Sequence, residues 1–424
     1  MRLGLRRDIS RSATEAGEKA SFIELFFDLV FVLAVTQVAH TVVVSLEKGE
    51  TLLGLLEAAV LVLALWWVWV YTAWITNWLN PETAPVRGLL LVLMLVGLLM
   101  STSIPEAFAG RGLIFALAYV TMQVGRSLFA AFAMARHNPD GASNLRRLAL
   151  WFSLGGVFWI VGGVIADPWI RLGLWALAIA IDYGAASLRY RLPWFKESAS
   201  NVWDLASAHL AERTALFMII AFGEGILVTG SFFAEHEITP EGVTAFLAAI
   251  TGTVLLWLVY FNRAERRGRK FMEESDESVE VARYSYTYVH VVLVVGVVLV
   301  AVSDELLLAH PLEGTGGYTP LLIYAAPAIY LVGNVWFKKS TGTFPLASHL
   351  VGILPLMALA LLVPLLAPRS SPLLHAWVAN ALVLAVLIFE EVGVRRARAR
   401  TGGRDEQPDE LELEEPPEGD GAKE

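Results

Sequence analysis

The sequence predicts an all-α fold, a polytopic membrane bundle of about twelve transmembrane helices. Three observations predict it. Hydrophobic residues make up 56% of the 424, against roughly 45–50% in soluble domains. Apolar runs of about 20 residues, the length that crosses hydrocarbon as a helix, follow one another along most of the chain. Lys and Arg fall almost entirely in alternate connections between those runs, as the positive-inside bias requires.

The runs place helices at roughly 22–45, 52–77, 86–105, 112–135, 147–166, 169–188, 209–232, 242–263, 281–303, 318–337, 346–366 and 373–393. The first is apolar from Phe22 onward but carries Glu24 and Asp28. The second is rich in Trp and Tyr (Trp66, Trp67, Trp69, Tyr71, Trp74, Trp78), which read as interfacial anchors near a helix end. The third ends at Ser103-Ile-Pro-Glu106, and the fourth holds Gln123 and Arg126 on one face. The fifth and sixth run up to a polar linker containing Pro193 and Trp203. The seventh opens on His209-Leu-Ala-Glu212-Arg213, and the ninth carries His290 near its middle and Asp304-Glu305 at its end. With the N-terminus inside, only Lys48, Arg111, Arg171 and Arg369 lie in external loops, and Arg126 and Arg213 lie within spans. Both termini are therefore expected to be cytoplasmic, in a multi-pass membrane protein.

The chain divides into a cytoplasmic segment (1–20), a six-helix half (21–192), a cytoplasmic linker (193–208), a second half (209–400) and an acidic tail (401–424). The tail holds ten acidic and two basic side chains, so it accounts for most of the net charge of −9. It is expected to be disordered. The halves share spacings. Glu24 and Tyr71 are spaced as Glu212 and Tyr260 are, within one residue. Gly97 precedes Glu106 by the interval at which Gly296 precedes Glu305. Tyr119 and Gly125 fall in the fourth helix as Tyr330 and Gly333 do in the tenth, and Asp182 and Glu390 close the sixth and twelfth. Six helices per half gives two repeats of the same orientation.

Several classes are excluded or unsupported. There is no cysteine, so disulfides and thiolate metal sites are ruled out. No short apolar segment with a small-residue cleavage site precedes the first span, so no removable signal peptide is expected. No basic surface suggests nucleic acid; the run Arg263-Ala-Glu-Arg-Arg-Gly-Arg-Lys270 reads as a cytoplasmic loop, able to touch anionic lipid. No phosphate loop, nucleophile elbow or metalloprotease His pair appears, so neither enzyme nor cofactor is expected. The expected partners are the bilayer and a small ion or solute, and a homo-oligomer is left open.

The candidate functional residues are the intramembrane polar groups, which are costly in lipid and usually retained for a purpose. Glu24 and Asp28 are four apart and share one helix face. His209, Glu212, Arg213 and Glu224 lie on a stripe about 120° wide on the seventh helix, with Glu224 about 16 Å deeper than Arg213. Gly223 and Gly225 beside Glu224 would permit close backbone approach. Arg213 can pair with Glu24, Asp28 or Glu212; Arg126 needs an acid, with Glu224 or Glu106 as candidates. His40 lies on another face of the first helix, and His290 reads equally as a satisfied core histidine. Glu106, Asp304 and Glu305 read as rim groups or a cation-collecting vestibule.

Three motifs resemble the bacterial low temperature requirement A (LtrA) family: Glu24-Leu-Phe-Phe-Asp28-Leu-Val-Phe-Val-Leu-Ala-Val-Thr-Gln followed by His40, Trp-Val-Tyr71-Thr-Ala-Trp74-Ile-Thr-Asn77, and His209-Leu-Ala-Glu212-Arg213-Thr-Ala-Leu-Phe with Gly223-Glu224-Gly. The likeness covers nearly all of 20–395. The family is named for growth in the cold, and the name implies no substrate. Phe27-Asp28-Leu-Val-Phe31 is also similar to the Phe-Ser-Asp helix of a six-plus-six family of potassium channels. Here Phe27 replaces the serine, and the seventh helix lacks the element. The expected activity is ion- or proton-coupled secondary transport, with a carboxylate/arginine site between helices one and seven. A cation channel lined by helix one and a non-transporting protein with packing ion pairs are the alternatives.

Overall fold

In a computed structural model, described over residues 20–191, 207–265, 268, 282–312, 318–341, 347–367 and 369–400, twelve helices are long and apolar enough to cross a membrane. They are α1 (Phe22–Glu47), α2 (Thr51–Trp78), α3 (Ala84–Glu106), α4 (Gly112–Met134), α5 (Pro139–Val164), α6 (Pro168–Ser187), α7 (Ser207–Glu235), α8 (Pro240–Asn262), α9 (Tyr284–Ala309), α10 (Tyr318–Ser340), α11 (Ala347–Leu366) and α12 (Pro372–Arg400). The N-terminal segment, nearly all of the linker, half of the basic 263–270 run and the acidic tail lie outside the described residues.

Helix starts follow from local chemistry. At α5, α6 and α8 a polar cap precedes a proline, whose missing N–H would have had no helical partner anyway. Asn138 Oδ1 accepts from Gly141 N at 2.8 Å, Asp167 Oδ1 from Ile170 N at 2.9 Å and Thr239 Oγ1 from Gly242 N at 3.0 Å. The cap at Asn138 is why α5 begins eight residues before the apolar run that predicts it. Arg146, just outside the expected span, lies inside the helix. Likewise α9 runs on past Ser303-Asp304-Glu305 to Ala309, because these polar residues do not break a helix.

α2 is the spine of the bundle: 72% of its spanning window is buried, the largest share of the twelve. This corrects the reading of its aromatics. Trp66, Trp67, Trp69, Tyr71 and Trp74 are core residues, each 7% exposed or less, rather than interfacial anchors. A helix apolar on every face belongs in the interior. Trp67 stacks on Tyr183 of α6, and Trp69 packs on Phe217 of α7.

α1–α6 and α7–α12 meet along a seam where α1 and α2 pack on α7 and α9. Within each set the first helix packs on the second and third, the second on the sixth, and the third to sixth in succession. Trp66 Nε1 donates to the Thr287 carbonyl at 2.6 Å across the seam, and Trp74 Nε1 to Thr287 Oγ1 at 3.3 Å.

α9 and α10 cross closely at Gly296. A Cβ at Gly296 would lie 2.7–2.9 Å from the Tyr330 backbone and Cβ, which cannot yield. At Gly97 the same addition meets only the Val30 and Met122 side chains, at 3.0 and 3.4 Å. Gly296→Ala should therefore cost about 1–3 kcal/mol by overpacking, and Gly97→Ala distinctly less. Thermal unfolding of the two variants in one detergent checks this ranking; equal losses would contradict it.

Candidate functional site

The first turn of α1 builds half of the site. Ser21 and Glu24 form a capping box, in which the Ser21 N–H and hydroxyl both donate to Glu24 Oε2 at 2.9 Å. That fixes the carboxylate and leaves Oε1 facing the seam. One turn on, Asp28 Oδ1 accepts from Trp69 Nε1 of α2 at 2.8 Å. Both carboxylates are fully buried.

α7 supplies the other half. Arg213 Nη1 donates to Glu24 Oε1 and to Thr76 Oγ1 of α2, each at 3.0 Å, and Nη2 donates to Asp28 Oδ1 at 2.5 Å. The guanidinium carbon lies 5.8 Å from the centre of the Trp69 ring, a cation–π contact. His209, one turn earlier, places Nε2 3.4 Å from Glu24 Oε2. Two carboxylates thus face one guanidinium, and Asp28 Oδ2 is buried with no hydrogen-bond partner. One proton, on His209 or on a carboxylate, would make the cluster neutral.

The structure brings together Glu24, Asp28, His209 and Arg213, and leaves the other candidates elsewhere. Glu212 is half-buried and takes no part in the cluster among the described residues. The Glu224 side chain lies outside what is described, and no described atom comes within 4 Å of a Cβ built on Gly223 or Gly225, so the expected close approach there is not seen. His40 sits toward the far end of α1, 3.5 Å from Glu305 of α9. Glu106 pairs with Arg111 on the surface at 3.4 Å. His290 is a core histidine with both nitrogens engaged, by Tyr260 Oη at 2.9 Å and the Ser285 carbonyl at 2.8 Å. Asp304 is not a rim group: it is 8% exposed.

Arg126 corrects an expectation most clearly. It is fully buried, yet no carboxylate lies within ion-pair distance among the described residues. A π-type turn at Thr121–Gly125 precedes it and turns the guanidinium onto α2, where Nη1 donates to the Val68 carbonyl at 2.8 Å and to Thr72 Oγ1 at 2.7 Å. Nη2 donates to Gln123 Oε1. Gln123 Nε2 in turn donates to Tyr119 Oη at 3.2 Å, and Tyr119 donates to Asp182 Oδ2 at 2.7 Å. The acid for Arg126 is thus Asp182, reached through two neutral side chains. In the other set of helices Lys338 Nζ donates to both oxygens of Glu390 at 2.9 Å, a buried pair between α10 and α12.

Several of these partners are missed by pattern reading. The Ser21-x-x-Glu24 spacing is a legible capping-box signal. Trp69 and Thr76 lie among many equivalent residues of α2 and carry no signal of their own. Removing one partner of a buried pair costs about 3–5 kcal/mol because the other charge is left bare. Arg213→Met should therefore destabilise strongly, and adding Glu24→Gln with Asp28→Asn should recover most of the loss. Arg126→Met, which bares no adjacent carboxylate, should cost less than Arg213→Met. Melting temperatures of the four proteins check the order.

Comparison with known proteins matches the chain to one family. The model of the bacterial low temperature requirement A protein matches residues 19–388. An uncharacterized protein of Rhizobium meliloti (strain 1021) is 37% identical over 381 residues, covering 90% of this chain and 91% of the relative. No solved structure matches. Eleven candidate spans, most of the twelfth and the buried cluster of α1 and α7 thus sit within the matched region, and the protein belongs to the bacterial low temperature requirement A family.

Proposed function

We propose that this protein is an ion- or proton-coupled secondary transporter of the bacterial cytoplasmic membrane, working through Glu24, Asp28, His209 and Arg213. The observation that carries the reading is charge imbalance: two fully buried carboxylates face one guanidinium, and Asp28 Oδ2 has no partner. A purely structural rivet gains nothing from an unmatched carboxylate in low dielectric. A coupling site needs a group that takes and gives up a cation or proton at moderate cost.

The position of the cluster supports the same reading. It joins α1 and α2 to α7, on the seam between two sets of six helices with the same order of neighbours. That recurrence, with the sequence spacings, supports a repeat of common orientation, and rocking of one half against the other opens such a seam. The Lys/Arg distribution supports cytoplasmic termini. Beyond Asp28 the seam closes on an apolar cavity of about 10 Å³ whose walls include Phe31, Trp66, Phe217 and Val294, which would separate the charged cluster from the other side. A pore along α1 is less well supported, because Phe27, Phe31, Ala34, Val35, Val38 and Val42 are buried along its length. The number of bonds within the cluster favours a packing role as the second reading.

Flux in proteoliposomes across a panel of ions and solutes, at several pH values, separates these readings. Asp28→Asn keeps the Trp69 contact but abolishes the exchangeable charge. It should lower flux at least about tenfold, on the order of 1.4 kcal/mol of barrier, while the protein stays folded. Wild-type flux in both Asp28→Asn and Glu24→Gln would refute the site. Absence of flux for every solute in the wild type would favour the packing role.

A further inference from the structure

Toward the C-terminal end of α9, at the opposite end of that helix from Thr287 and the Trp66/Trp74 contacts, α8, α9, α10 and α12 line a partly open cavity of about 40 Å³. By helical rise, Asp304 lies about 25 Å further along α9 than Thr287. The volume is on the order of three water-sized spheres. Its wall includes Gly252, Ser303, Asp304, Ile323, Pro327 and Asn380.

The donor set is specific. Asp304 is 8% exposed, its Oδ2 has no hydrogen-bond partner, and no basic side chain lies within ion-pair distance among the described residues. An isolated carboxylate in a dry interior is expensive unless a cation accompanies it. Among otherwise apolar neighbours such as Leu256 and Leu307, the polar groups beside it are neutral oxygens. Asn380 Nδ2 donates to the Ala248 carbonyl at 2.8 Å, which orients the amide so that Oδ1 is free to accept. Gly252 leaves room for that oxygen; a Cβ there would lie 2.9 Å from it. Ser303 donates its hydroxyl to the Val300 carbonyl at 2.9 Å and so presents lone pairs. Pro327, inside α10, has no N–H, so the Ile323 carbonyl four residues earlier lacks its helical donor.

We infer that this cavity binds one monovalent alkali cation, with Asp304 as the charged ligand and Asn380 Oδ1, Ser303 Oγ and the Ile323 carbonyl as neutral ligands. One carboxylate balances one positive charge. Oxygen donors suit a hard cation, and broken helical hydrogen bonding near a polar cavity is a recurrent way to offer carbonyls to such ions. A transition-metal site is not indicated, since no group of three His, Asp or Glu converges among the described residues. The inference does not rest on the transport reading, because the cavity lies apart from the Arg213 cluster and binding is measurable without flux.

The test is thermal unfolding of the purified full-length protein in nanodiscs, titrated with NaCl or KCl against choline chloride at constant ionic strength. The expected result is a saturable rise in melting temperature with Na+ or K+ and none with choline, following ligand linkage. Asp304→Asn should abolish the rise. Asn380→Ala should shift the midpoint on the order of tenfold to higher concentration. Glu305→Gln, next in sequence but outside the cavity wall, should leave it unchanged. A wild-type response no different from choline, or an undiminished response in Asp304→Asn, overturns the inference. Should Asp304→Asn fail to fold, Asn380→Ala decides: a weakened midpoint supports the site and an unchanged one overturns it.

Discussion

The Arg213 guanidinium is the point on which the molecule turns. It is drawn from α7 into contact with Glu24 and Asp28 of α1 and Thr76 of α2, so one side chain fastens three helices from both sets of six. Burying that charge is affordable only because the carboxylates are prepositioned, Glu24 by its capping box and Asp28 by the Trp69 indole. Preorganisation also explains why α2 is deeply buried. It must lie between the partners and offer polar atoms from otherwise apolar faces, and Trp and Thr do this without adding charge.

Other buried polar groups follow the same logic with different economies. Lys338 and Glu390 match one to one between α10 and α12. Arg171 donates to carbonyls, including those of Ala107 and Ala109 at 2.8 and 2.9 Å, rather than to a carboxylate, and so ties one helix connection to another. Arg126 and Asp182 are matched in number but kept apart by Gln123 and Tyr119. The Arg213 cluster and Asp304 stand out against these because their carboxylates exceed the permanent cations beside them.

Much of this was legible in the sequence. The twelve spans follow from apolar run length, and Glu24 and Asp28 were two of the three acids open to Arg213. What was hidden has physical reasons. Composition cannot tell an apolar residue facing lipid from one facing protein, so the Trp-rich face of α2 read as an interface. A carboxylate near the end of a run reads as solvated, yet Asp304 is covered because α9 continues past it. Arg126 was expected to find an acid directly; a π-type turn, invisible in residue spacing, redirected it to neutral acceptors. Glu212 shares a helix with Arg213, but one residue of rotation, about 100°, places it off the seam.

The capping box at Ser21 and Glu24 has a consequence for biogenesis. Asp28 and Arg213 are 185 residues apart in the chain. At typical rates of synthesis Arg213 emerges about 10–40 s after Asp28. During that interval α1 carries two carboxylates with no guanidinium, and the Ser21 contacts quiet only one carboxylate oxygen. Helix one therefore has reason to linger at the headgroup level or the insertion machinery, and to settle fully only when α7 arrives. The charge balance of the first helix is completed only by the seventh.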